Sequence, residues 1–444
     1  MLDFIINILQ TPAIVLGLVA LIGLILQKKS FSKVFSGTVK TSLGMLIIGF
    51  GASIIVNEIL PFVDLFSEVF NLSGFATTSE AVVGAMQNSV IEIARTSALI
   101  MSIGFLVNVL VARFSPLKYI FLTGHMMWIL SVAIAGSLYV NGLSEVTIIV
   151  VGSILQGLVM AILPAIGQPT VRKVIGGDDF AMAHLTTLGT VATGYIGGLL
   201  GDKSKNAEEI KLPESLSFFK DTSMSVSILI GVFYLLVSLL AGPEKVSKFS
   251  DGQNYIIFAI MKSLGFASGI LILLQGVRMF LGELVPAFKG ISDKLVPGAI
   301  PAIDVPALFA FAPNSLMIGF VTSVIGMIIG MFVSSALFKV APLVSIIGAF
   351  FTGGVAGIFG NARGGRRGAI ISGLLYGFIL ILGSGFIFTI FDYTKYGAAG
   401  VGHDCIDVMA LILLLKNFYI GLIVIILAFI VLSVFKTRRD KNIK

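Results

Sequence analysis

The sequence predicts an all-α polytopic membrane protein, with about eleven transmembrane helices in two inverted repeats and re-entrant or broken segments between them. Three observations carry that prediction. The first is composition: 57% of the 444 residues are hydrophobic, 12% are charged and the mean hydropathy is +1.04. That leaves too few polar side chains to cover a soluble surface of this size. The second is a series of apolar runs of roughly twenty residues, the length that crosses about 30 Å of hydrocarbon. The third is the placement of lysine and arginine in short clusters flanking those runs, which sets membrane orientation and accounts for the net charge of +7 without nucleic acid. The fifty glycines suit membrane helices that pack closely. A single cysteine, Cys405, excludes an internal disulfide, and no Cys/His spacing suggests zinc or haem.

In chain order, the first apolar run, Ala13 to Leu26, precedes Lys28 and Lys29, whereas a secretory signal carries its charge before the run. It reads as a retained helix with its N-terminus outside. Further runs lie near 41–60, 96–114, 119–139, 146–166, 225–242, 255–275, 315–336, 342–360, 368–390 and 417–435. Threading them alternately puts Lys28/Lys29/Lys33, Arg113/Lys118, Arg172/Lys173, Lys203 to Lys220, Arg363/Arg366/Arg367 and the tail KTRRDKNIK inside. The C-terminus is then cytoplasmic, and Lys245, Lys248, Lys339 and Lys395 are exceptions on the outer side.

An internal repeat supports the inversion. At an offset of 225, Gly51 meets Gly276, Glu58 meets Glu283, Pro61 meets Pro286 and Ser67 meets Ser292; one residue less aligns Gly74 with Gly298 and Glu80 with Asp304. Pro116 and Leu117 then meet Pro342 and Leu343, and Asp179 meets Asp404. Five spans per half, an odd number, insert the copies upside down and place a binding site near mid-bilayer at discontinuous segments. The expected division is 1–200 for the first repeat, 201–224 for a cytoplasmic linker, 225–416 for the second repeat, and 417–444 for a final helix and basic tail. Gly/Pro-rich stretches at 61–90, 176–200, 276–314 and 397–411 are the expected breaks.

The stretch from Gln275 to Ser315 is the expected cradle. It holds Arg278, Glu283, Asp293 and Asp304, and Pro297, Pro301, Pro306 and Pro313 forbid one continuous helix. Ionisable residues at membrane depth face a cavity or a partner, and broken backbone there must be buried in protein or line a wet cavity. Asp304 is a candidate ligand residue, with helix capping as the plainer role. Glu80, its counterpart, is either a first-turn acid serving a helix dipole or part of the site. His125 in LTGHMMW is either a helix-end imidazole satisfied by a carbonyl or a contact. His184 in GGDDFAMAHLTT is favoured as functional, with Asp178 and Asp179 as caps, while His403, beside Asp404 and Asp407, is equally an interfacial loop residue. Glu58 and Glu283 read as structural, paired with Arg278 or lysines. Asn361 to Gly368, NARGGRRG, reads as an inside anchor. No phosphate-cradling GxxxxGK[ST] or GxGxxG is present, so no nucleotide cofactor is expected, and the polar groups suit a polyhydroxylated solute.

LTGHMMW, KLPESLSFFKD and the run QGVRMFLGELVPAFKGISDKLVPGAIPAIDVPALFAFAPNS strongly resemble the membrane (EIIC) component of the bacterial phosphotransferase system for L-ascorbate, over nearly the whole chain. The resemblance implies a homodimer in the bacterial cell membrane, with a scaffold and a mobile core each drawn from both repeats. It also implies elevator-like movement of a sugar that is phosphorylated by a separate EIIB, itself charged by EIIA, so that this chain carries no catalytic cysteine, metal or cofactor. The family's ligand contacts map onto His125, His184 and Asp304. Its two glutamines map onto Ile129 and Leu185 and its tyrosine onto Glu80, three departures that point away from ascorbate itself and towards a related solute such as a pentose, pentitol or hexitol. Two other classes remain to be separated from it: an ion-coupled secondary transporter using Glu80 and Asp304, and a lipid-acting membrane enzyme, for which the histidines are dispersed.

Overall fold

The computed structural model describes residues 11–69, 79–210, 222–250, 252–391 and 405–443. In order, these form α1 (Pro12–Leu26), α2 (Phe31–Val69), α3 (Ser79–Ser89), α4 (Ile91–Phe114), β1 (Tyr119–Phe121), α5 (Gly124–Val140), α6 (Glu145–Ile175), β2 (Ala181–Met182) and α7 (Thr187–Leu200). There follow α8 (Thr222–Ala241), α9 (Pro243–Ser247), α10 (Tyr255–Lys294), β3 (Ile300–Ile303), α11 (Pro306–Phe309), α12 (Pro313–Phe338), α13 (Ile346–Ile390), α14 (Ile406–Leu415) and α15 (Phe418–Ile443). The fold is that of an all-α polytopic membrane protein. Among the described residues seven helices are long and apolar enough to cross a membrane, within α2, α4, α6, α10, α12, α13 and α15.

The expected runs land on these helices with two differences of physical interest. Runs 342–360 and 368–390 share α13, whose helical geometry fails only at Gly364 (φ −140°, ψ 21°) and Gly365 (φ 60°, ψ −163°). The stretches 61–69 and 276–294, expected as breaks, continue α2 and α10 to 39 and 40 residues, and a 40-residue helix is about 60 Å long. Helix α2 continues past Pro61 with its ladder bridged there by the Tyr234 hydroxyl of α8, which accepts from Phe62 N at 3.1 Å and donates to the Glu58 carbonyl. Runs 13–26, 119–139 and 225–242 give shorter apolar helices.

Helices α2 and α10 cross at glycine. A Cβ on Gly51 would lie 2.5 Å from Leu273 N and one on Gly276 would lie 2.6 Å from Ile48 N, so neither position admits a side chain without separating the helices. Two ion pairs flank the crossing reciprocally: Glu58 on α2 reaches Lys262 on α10 at 3.0 Å, and Glu283 on α10 reaches Lys40 on α2 at 3.3 Å. The partners are lysines, not Arg278. Helix α1 packs against both long helices, with the Gln27 amide donating to the Pro286 carbonyl at 2.8 Å.

One small parallel sheet, ordered β1-β3-β2, lies inside this helical protein. Tyr119, Ile120 and Phe121 pair with Ile300, Pro301 and Ala302, and Ala181 and Met182 pair with Ala302 and Ile303. Pro301 is tolerated in a central strand because pairing with β2 begins only at Ala302, so its missing N–H faces no waiting acceptor. Both outer edges are closed by side-chain amides. Asn108 of α4 donates to the Tyr119 carbonyl and accepts from Phe121 N, and Gln168 of α6 donates to the Phe180 carbonyl. Open strand edges would be costly in an apolar interior, and these amides replace the missing neighbours.

Candidate functional site

All three strands run the same way and each ends at an expected site residue. His125 follows β1 by four residues, His184 follows β2 by two, and Asp304 follows β3 directly. The ladder continues past each strand's last residue, Leu122 N to the Ala302 carbonyl and Ala183 N to the Ile303 carbonyl, both at 2.8 Å. Three segments far apart in sequence are thereby held together. His125 Nε2 lies 3.7 Å from one Asp304 oxygen, His184 Nε2 lies 4.0 Å from the other, and the two imidazoles face edge-on with centroids 6.5 Å apart.

Those separations exceed a direct hydrogen bond. A hydroxyl oxygen placed 2.8 Å from both an imidazole nitrogen and a carboxylate oxygen would bridge them at an angle of roughly 80–90°. Among the described residues the Asp304 carboxylate accepts only from Val305 N, at 2.8 Å, and does not cap α11, whose N-terminal turn has no side-chain cap. It is therefore free to accept from a solute. The His184 side chain is 5% exposed, and its Nδ1 has no hydrogen-bond partner.

The trio faces a cavity of about 880 Å³ of empty space, its open mouth included. One wall is Met45, Ile48 and Gly49 of α2; the opposite walls are Met126, Val305, Pro306 and Cys405, with Ile347, Gly348, Phe351 and Thr352 of α13. Residues Ala349–Gly353 there form a π-helical turn, a wide turn found mostly at functional positions. A second, more apolar space of about 410 Å³ lies beyond His125 and Asp304, between them and Leu16, Val277 and Phe280 of α1 and α10. Among the described residues, the larger cavity is lined by two imidazoles and one carboxylate and the smaller by His125 and Asp304, with no lysine or arginine in either.

His125, His184 and Asp304 could also hold a metal, since their ligating atoms lie within 4.8 Å of one another. A metal-bound imidazole, however, normally donates through its other nitrogen, and the buried Nδ1 of His184 finds no acceptor. The geometry suits solute hydroxyls better.

The remaining candidates are placed as follows. Ile129 and Leu185 are fully buried and outside the lining of either cavity. Glu80 is in the first turn of α3, its side chain outside the description, as are His403 and Asp404 entirely. Helix α3 is tied to the site by Gln87, which accepts from Trp128 Nε1 at 2.8 Å, one turn after His125. In the NARGGRRG run, Arg366 and Arg367 are exposed, but Arg363 is buried, stacked 3.4 Å over the Tyr195 ring and donating to Thr170 Oγ1. Asn108, Gln168, Thr352 and Cys405 are site-forming residues absent from the sequence reading. A lone amide inside a membrane-length run was the available signal for the first, since it must find a polar partner.

Residues 7–404 match the family described as the PTS system sugar-specific permease component, EIIC-GAT. The chain belongs to that family. The permease is also 25% identical over 434 residues to the "Ascorbate-specific PTS system EIIC component" of Mycoplasma pneumoniae, an alignment covering 85% of this chain and 64% of that protein. The chain thus spans somewhat less than two thirds of the length of that curated relative. Family and helices together make the permease a multi-pass membrane protein.

Proposed function

We propose that the permease binds a polyhydroxylated, ascorbate-like or neutral polyol solute at Asp304, His184 and His125 and carries it inward for phosphorylation by a separate EIIB charged by EIIA. The observation that carries this reading is the convergence of those three side chains, from the ends of three parallel strands, on one cavity. One carboxylate and two imidazoles offer acceptors and donors at hydroxyl spacing, and a solute rich in hydroxyls satisfies several at once. The relative's ascorbate specificity points to that solute, while the lack of a lysine or arginine among the described lining residues favours a neutral polyol.

The cavities lie between α1, α2 and α10 on one side and the strand-borne site on the other. In this proposal the first group is scaffold and the second the moving part of an elevator. The reciprocal pairs Glu58–Lys262 and Glu283–Lys40 support two inverted repeats, because the glutamates are 225 residues apart in sequence. A homodimer, an outer N-terminus and an inner C-terminus belong to the same proposal.

The test is a binding screen of purified protein with L-ascorbate, pentoses, pentitols and hexitols, repeated with Asp304→Asn and His184→Ala. One solute class should bind, and both variants should weaken it by about tenfold or more, the worth of a hydrogen bond to a charged group. Wild-type affinity in both variants would remove the site from this cavity.

A further inference from the structure

We infer that Asp407 is a positioning residue that fixes His184 in the solute cavity from the far end of the chain, an inference that rests on the proposed solute site. The loop carrying His184 has little structure of its own: β2 is two residues long, and α7 begins three residues after the histidine. Its backbone is held on one side by the sheet, through Ala183 N to the Ile303 carbonyl. On the other side both contacts come from one residue, Asp407, 219 positions after Leu188. Asp407 N donates to the Leu185 carbonyl at 3.1 Å, and the Asp407 carboxylate accepts from Leu188 N at 2.8 Å.

The arrangement stands in for a local cap. Helix α7 starts after Thr186, whose side chain makes no capping bond because its hydroxyl is taken by the Tyr376 hydroxyl. The exposed N–H groups of a helix start need an acceptor, and a carboxylate there also meets the positive end of the helix dipole. Asp407 supplies it in trans, with the amides of Thr187 and Gly189 flanking the Leu188 bond. The Thr187 hydroxyl then closes the loop by donating to the His184 carbonyl at 2.7 Å. Asp407 itself is 5% exposed, and among the described residues its second oxygen has no hydrogen-bond partner. It lies two residues after Cys405, which lines the cavity, on a helix packed against α5, the helix that carries His125 in its first turn. The His184 ring, with no bond at Nδ1, takes its orientation from its backbone, and Asp407 holds that backbone.

The test uses the full chain labelled with ¹³C,¹⁵N-histidine, its three histidines giving three imidazole signals, assigned by His184→Ala and His125→Ala. Asp407→Ala should shift or broaden the His184 signal, leave the His125 signal in place, and weaken [¹⁴C]L-ascorbate binding, or that of whichever polyol binds, by about tenfold. Asp407→Asn, which keeps an acceptor for Leu188 N, should restore the signal and bring affinity to within about threefold of wild type. If Asp407→Ala does not survive purification, Asp407→Gln, which displaces the acceptor by one methylene, carries the same test. An unmoved His184 signal in the folded variant, or equal movement of both signals, overturns the inference. If the signal moves as expected while His184→Ala binds solute like wild type, the positioning role stands and the proposed solute site falls.

Discussion

Gly365→Ala is the substitution whose cost the structure defines most closely. At φ 60° and ψ −163° the residue occupies backbone space that is essentially restricted to glycine, and placing alanine there costs about 1–3 kcal/mol. The new Cβ would also lie 2.2 Å from the Asp202 carbonyl oxygen and 2.5 Å from that of Lys205. Neither carbonyl can yield cheaply, because the segment is bonded across the break: Asp202 N donates to the Gly364 carbonyl and Arg366 N donates to the Lys205 carbonyl, both at 2.8 Å. Lifting it away loses two bonds of about 1 kcal/mol each. The sum is roughly 3–5 kcal/mol. If the 444-residue chain melts as one unit, its unfolding entropy makes each kcal/mol worth about 1 °C, so the midpoint should fall by about 3–5 °C. Thermal unfolding in detergent, followed by loss of the monodisperse peak, reads this out. The exposed neighbour Arg366→Ala is the control and should stay within about 1 °C. A Gly365→Ala protein melting with wild type would refute the argument that the break is held by a glycine-only conformation.

Three further predictions follow from other parts of the fold. Replacing Asn108 by Leu should destabilise the protein by about 1–3 kcal/mol and weaken solute binding, because Phe121 N–H would lose its acceptor and the Tyr119 carbonyl would lose the Asn108 amide on the strand that leads to His125; unchanged melting and affinity would show that the strand edge needs no amide. Asp178 gives a pH signature: burial alone would raise its carboxyl, but bonds from Arg172 and Gln168 outweigh burial and hold it below the ordinary carboxylate value. The stability so gained is present above the unfolded value of about 3.9 and is lost as pH falls through the lower folded one. The melting gap between wild type and Asp178→Asn should therefore be constant from about pH 8 to 5 and narrow progressively below about pH 4, and a gap undiminished at about pH 3 would contradict it. Finally, vesicles holding the protein should form phosphorylated solute only when EIIB and EIIA are present inside in phosphorylated form, up to the amount of phosphoryl group they carry, whereas uptake driven by an imposed proton or sodium gradient alone would establish the ion-coupled alternative.

Asp304 and His184 stand out in the sequence because an acid among prolines and an imidazole after a glycine break have no cheap place at membrane depth except a polar cavity, and the structure sets both in the lining of one cavity. Arg113, Arg172 and Lys173 lie in the last turns of their helices, whereas the NARGGRRG run falls within α13, and Arg363 there is buried against Tyr195 and Thr170 of α7 and α6, partners invisible to a local reading. The strands were not legible. Two to four residues show no alternation against an apolar background, and Tyr119–Phe121 and Ile300–Ile303 read as parts of spans or breaks. The continuation of α2 past Pro61 escaped for a related reason, since the hydroxyl that repairs the ladder belongs to Tyr234, 172 residues away from Phe62. What local pattern encodes was readable, and what distant segments complete was not.

The sheet explains how a helical membrane protein can keep a site precise where its backbone is broken. Non-helical backbone in an apolar interior must satisfy its own polar groups, and three short strands do so for one another while Asn108 and Gln168 close the outside. The same ladder fixes the register of residues 122, 183 and 303, so the side chains that follow are set by backbone hydrogen bonds and not by flexible loops. Because His125, His184 and Asp304 leave one ladder, any displacement of that ladder relative to α2 and α10 carries all three together. The walls of the cavity can then change while the spacing of imidazole, carboxylate and imidazole stays constant. A carrier needs that combination, since a site that lost its geometry in transit would release its solute inside the membrane.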